Sequence, residues 1–132
     1  MSYAQEQAYI TSHFSNMWPA GVGVAYPNVK FDTNNIDEWV RLNIVRGVAY
    51  QASMGGDTNV YRHPGNVIVQ VFVEPNSGAK RALELADTAC AIWRGQQFDG
   101  LVFKAPVVID LGIVAGWYQV NVSCPFYRDE LF

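Results

Sequence analysis

Residues 66–94, NVIVQVFVEPNSGAKRALELADTACAIWR, decide the architecture, because two periodicities meet in them. Residues 66–74 are apolar and rich in β-branched side chains, the composition of a strand. Pro75 then ends the ladder, since it has no N–H to donate. Residues 76–94 place Ala79, Ala82, Leu83, Ala86, Ala89, Cys90 and Trp93 on a broad apolar stripe. Lys80, Arg81, Glu84, Asp87 and Arg94 fall mostly opposite, as on an amphipathic helix. Ser77 is the candidate cap and Gly95 the stop.

Toward the N-terminus the period becomes two. Val40, Leu42 and Ile44 face one way, and Trp39, Arg41 and Asn43 the other, which predicts a half-buried strand. Arg46 and Gly47 interrupt it with a bulge or bend before Val48, Tyr50 and Met54 resume. Residues 55–65, GGDTNVYRHPG, are dense in turn formers and connect this strand to the next as an antiparallel hairpin. Further upstream, residues 3–18 carry Tyr3, Ile10, Phe14 and Met17 at helical spacing, with Gln5, Glu6, Ser12 and Ser15 elsewhere. Pro19 and Gly21 stop that helix, and residues 22–26 form a short strand before Pro27 and Asn28.

Downstream, residues 101–104, 107–113 and 117–124 read as strands, the last two joined through Ala115 and Gly116. Tyr118, Val120, Val122 and Cys124 alternate with Gln119, Asn121 and Ser123, so one face is buried. The order helix, strands, helix, strands predicts a single α+β domain, an antiparallel or mixed sheet packed against two α-helices. A chain of 132 residues has room for one such core.

Charge is scarce. Asp, Glu, Lys and Arg make up 16% of the chain, where about 25% is usual, while hydrophobic residues reach 50%. With four Trp, seven Tyr and seven Phe, the apolar side chains exceed what one small core holds, which points to contact with other subunits. The net charge is -3, and the nine basic residues never cluster beyond Lys80 and Arg81, which argues against a nucleic-acid footprint. The N-terminal residues lack signal-peptide grammar, and no apolar run approaches the roughly 18 residues of a membrane span. Cys90 and Cys124 lie far apart with no CxxC spacing, as expected of buried, reduced thiols.

Catalytic grammar is missing. His13 and His63 lie in different elements without a recognisable signature. Ser53 sits in QASMGG, which is not a nucleophile elbow. GVGVAY at residues 21–26 lacks the third glycine of a dinucleotide fingerprint, and PNSGAKR lacks the first glycine and the hydroxyl residue of a phosphate loop. Asp37 and Glu38 point to opposite faces of a strand, and Asp129 and Glu130 read as a solvated tail. No spacing implies a metal or a cofactor. What stands out is the connector, which displays Asp57, Asn59, Tyr61, Arg62 and His63 between two strands, the placement of a binding loop.

Residues 39–87 carry an ordered set of features: Trp39, Arg41 and Leu42 in a strand; Arg62, Gly65 and the strand VIVQVF; then Pro75, Gly78 and a helix containing LELAD. Trp117, Tyr118, Pro125 and Phe126 continue it. This layout resembles the tail terminators of long-tailed phages, also called tail completion or minor tail proteins. The resemblance implies a non-catalytic virion protein of the tail, assembled in the host bacterial cytoplasm. It implies a ring, typically of six copies, that caps the tail tube, ends its polymerisation and offers the head-tail joining surface. Its partners would be other copies of itself, the tail tube protein and head-tail connector proteins, with DNA passing through without specific binding. Trp39 and Arg41 then join Asp57, Asn59, Tyr61, Arg62 and His63 as the candidate interface. The alternative is a small-molecule-binding or enzymatic α+β domain with an aromatic-lined pocket, which an enclosed cavity would distinguish.

Overall fold

A computed structural model describes all residues, Met1–Phe132. The elements follow in the order α1 (Tyr3–Met17), β1 (Gly23–Ala25), β2 (Glu38–Arg46), β3 (Tyr50–Gln51), β4 (Val60–Val73), α2 (Lys80–Trp93), β5 (Gln97–Phe98), β6 (Leu101–Phe103), β7 (Val107–Val114) and β8 (Trp117–Leu131). All eight strands form one sheet in the order β1-β2-β4-β8-β6-β5, with β3 added beside β4 and β7 beside β8. Only the β1–β2 pair is parallel, so the fold is α+β with a mixed sheet, as the sequence predicts.

Helix α1 starts at a capping box: Ser2 Oγ accepts from the Gln5 N–H, and the Gln5 side chain accepts from the Ser2 N–H. Ile10 and Phe14 are fully buried, but Tyr3 and Met17, expected on the same stripe, are exposed, and Glu6 takes a place in the buried face instead. Helix α2 is shorter than its pattern. Ser77 does not cap it; its hydroxyl donates to the Glu74 carbonyl, closing a turn through Asn76 and Gly78, both at positive φ. The face toward the sheet is Ala82, Leu85, Ala86, Ala89, Cys90, Ile92 and Trp93, whereas Leu83 and Ala79 lie toward solvent. Leu85 and Ile92, seven positions apart, belong to the stripe that Leu83 does not share. With Val40, Leu42, Val67, Val69, Val71, Val120, Val122 and Phe126, these side chains make one core between sheet and helices.

The two central strands run further than the sequence suggests, and proline explains why. Pro64 and Pro125 look like strand breakers, yet β4 passes through the first and β8 through the second. Pro64 falls where β4 changes partner, between β2, which pairs from Gly65 on, and β3, which pairs at Tyr61 and Arg62. Pro125 falls in the matching gap of β8, between β7, paired up to Ser123, and β6, paired from Phe126. Neither position needs a donor on that side, while both carbonyls accept, from Gly47 and Lys104. Hence residues 60–65 are strand rather than connector, and Asp129 and Glu130 are in β8 rather than a tail. Gly65 is required by contact, since a Cβ there would lie 2.7 Å from the Phe126 ring. The predicted hairpin through Ala115 and Gly116 is present, both residues at positive φ as its two-residue turn demands.

Candidate functional site

Beyond β2 the chain does not return to a buried strand. Val48 and Met54 are 87% and 91% exposed, and β3 is only two residues long. Asp57 stands at the exposed tip between β3 and β4. Asn59 is tied to the last residue by two backbone hydrogen bonds with Phe132, of 3.1 and 2.9 Å, and its side chain donates to the Gly56 carbonyl.

Alternation along β4 sends Tyr61 and His63 to the helix-covered face and Arg62 to the open one. The Tyr61 ring meets Phe132 edge-on. Arg62 donates to both carboxylate oxygens of Asp129, at 2.8 and 2.9 Å, and lies over the Tyr127 ring. That bidentate hydrogen bond holds the Asp129 carboxyl below its ordinary range and raises the guanidinium pKa in return. His63 shares a hydrogen bond with the Tyr3 hydroxyl and lies 3.9 Å from Glu130.

Trp39 is 4% exposed, stacked on Phe72 at 4.0 Å with Trp117 against its edge. Phe31 and Ile36, from the segment between β1 and β2, complete this small cluster on the open sheet face. Arg41 is exposed above it, its guanidinium 5.3 Å from the Trp39 ring and 5.4 Å from Phe72. The candidate residues are therefore divided: Trp39 is a buried support for Arg41, while Tyr61, Arg62 and His63 are held by intramolecular partners along β4. Among them Asp57 and Arg41 have no hydrogen-bonding or ionic partner for their charges in the chain.

Sequence reasoning missed an exposed apolar strand. In β7, Val107, Val108, Ile109, Leu111, Ile113 and Val114 are 40–57% exposed, and Asp110 is its one charge. Register puts Val108 beside Val122 on the helix side and Ile109 beside Asn121 on the open side, so both faces of the strand are apolar. A bulge at Leu111 and Gly112 twists its end. The signal was present: VVIDLGIV does not alternate, and a continuous apolar strand belongs between two layers, which a 132-residue chain with two helices does not supply there. A second group, Val45, Val48, Tyr50 and Met54, is exposed along β2 and β3 on the other side of the sheet.

No enclosed pocket opens in the molecule. No group of three or more His, Cys, Asp or Glu side chains is placed to hold a metal ion. Burial raises the pKa of both thiols, that of Cys124 to about 11, and both are protonated at neutral pH. No helix is long and apolar enough to cross a membrane. What the geometry offers is surface. A family model described as phage tail terminator protein matches residues 7–126. The chain belongs to the phage tail terminator family. It is thus a structural component of the phage virion tail, acting in tail assembly with other tail components. A solved structure 17% identical to this terminator, with 99% of each chain covered, superposes with a TM-score of 0.62, a likeness of fold. No curated protein matches the sequence.

Proposed function

We propose that this terminator assembles into a closed homo-oligomeric ring, of six copies as the family resemblance implies, that caps the tail tube, stops its growth and presents the surface for head joining. The observation that carries the reading is the pair of unlike exposed apolar surfaces on one sheet: β7 at one side, and Val45, Val48, Tyr50 and Met54 at the other. Two different patches favour head-to-tail association, the kind that closes into rings; a single self-complementary patch would favour a two-fold dimer. Asp57, Asn59 and Arg41 lie on surfaces available to the tube or the connector, with Trp39, Tyr61, Arg62 and His63 fixing the backbone that presents them. The net charge of -3 per copy suits a channel that DNA crosses without binding. The assembly would form in the bacterial cytoplasm as the tail is completed.

Purified tube protein, polymerising with and without this protein, provides the test. Tubes should stop lengthening at one end when it is added, with new density at that end only. Continued growth at both ends in its presence would refute the capping role.

A further inference from the structure

Two backbone edges of the sheet are open. The outer edge of β7 has no partner along its eight residues. On the other side, β1 covers only Trp39–Arg41 of β2, leaving the edge of Leu42–Arg46 without a strand. The Ile44 N–H marks that gap, since it donates to the Asn43 side chain at 3.1 Å instead of to a neighbouring strand. An uncovered edge with apolar faces and few charges is a template for pairing, and soluble proteins normally blunt it. Neither edge here is blunted by lysine or proline.

We propose that β7 of one copy pairs with the free Leu42–Arg46 edge of β2 in the next copy, making the sheet continuous across each subunit boundary. This rests on the ring reading above and specifies its contact. Three features favour a second copy as the occupant. First, strand directions match: β2, β4, β8 and β7 alternate, so repeating the unit by rotation alone sets β7 antiparallel to the next β2. Second, the faces match: with Ile109 opposite Val45 on the open face, Val107 lies diagonal to Val45, while on the helix side Val108 comes opposite Arg46 and diagonal to Ile44, and Asp110 comes opposite Ile44 and diagonal to Arg46. Third, the stagger is that of a closing sheet. Within one copy Ile109 shares a row with Asn121, Gln70 and Arg41, whereas Val45 shares a row with Asn66 and Pro125, four residues along β2. Because β1 blocks Trp39–Arg41, β7 must shift by about that amount, roughly one residue per strand, as in closed barrels with strands tilted about 36°.

Disulfide trapping tests the pairing. Inside one copy Val45 and Ile109 are separated by β4 and β8, at least about 14 Å from three strand spacings alone and more with the four-residue offset, too far for a bond. Cys90 and Cys124 are buried, so new links report the introduced pair. The double variant Val45→Cys/Ile109→Cys, oxidised in host cells assembling tails, should run as a ladder of covalent multiples on a non-reducing gel. The two single variants supplied together should give linked pairs, and each alone should give none. Linking by Ile109→Cys alone would mean that β7 meets β7, and would overturn the proposal. An amine cross-linker applied in parallel separates the two failures: multimers by amine cross-linking without disulfides refute this contact but leave the ring, while monomer by both refutes the ring itself.

Discussion

Glu6 and Arg128, 122 positions apart in sequence, form an ion pair at 2.9 Å in which both side chains are only 1% exposed. The pair pins the first turns of α1 to the far end of β8. Glu6 also accepts from Arg46 at 2.8 Å, and Arg128 donates to the Met1 carbonyl and to Glu130. Every charge in the cluster thus has a partner, which a buried ion pair requires. Glu6→Ala removes the carboxylate shared by two arginines and leaves Arg128 buried. It should destabilise the chain by about 3 kcal/mol or more in denaturant unfolding, the range for breaking a buried pair by one partner. A loss below about 1 kcal/mol, the range of exposed pairs, would mean that water reaches the cluster.

Trp39 and Arg41 share a strand but should behave differently on substitution. Trp39→Ala empties the stack against Phe72 and should cost about 3–5 kcal/mol, the usual range for a buried aromatic. Arg41→Ala removes an exposed side chain and should change stability by about 0.5 kcal/mol or less. Thermal and chemical melting of the two variants would show whether the cluster is structural, and equal, small effects would contradict it.

Acid should weaken two surface links. The hydrogen bond from Arg81 holds the Glu38 carboxyl below its ordinary value, and that from Arg62 does the same for Asp129. A carboxylate depressed in the folded state adds stability that is fully present above its unfolded pKa, and that stability is lost as pH falls through the folded one. The melting temperature should therefore decline below about pH 4.5, and the variant Arg62→Ala/Arg81→Ala should decline less over the same range. Identical acid limbs in the variant and the parent would refute this origin.

Much of the fold was legible because local patterns agreed with it. The alternation at Val40, Leu42 and Ile44, the turn at Ala115 and Gly116 and, of the apolar stripe before Gly95, Ala82, Ala86, Ala89, Cys90 and Trp93 each survive in the structure. What failed depended on neighbours distant in sequence. Glu6 reads as polar surface until Arg128 arrives from the other end of the chain. Pro64 and Pro125 read as breakers until the partner switch of their strands is known. The connector read as running on to Gly65 for the same reason, since Pro64 and Gly65 are turn residues by composition and strand residues by pairing. The exposure of the apolar run in β7 was not legible, because sequence gives periodicity and not the number of layers available to cover a strand.

Whether this chain works as a ring is decided by the mass of the native particle, measured alone and with tail tube protein. A ring should give one closed species at a fixed multiple of the 14.7 kDa chain, formed alone or on meeting the tube, and no open-ended series. A protein that remains a monomer in both settings would contradict it.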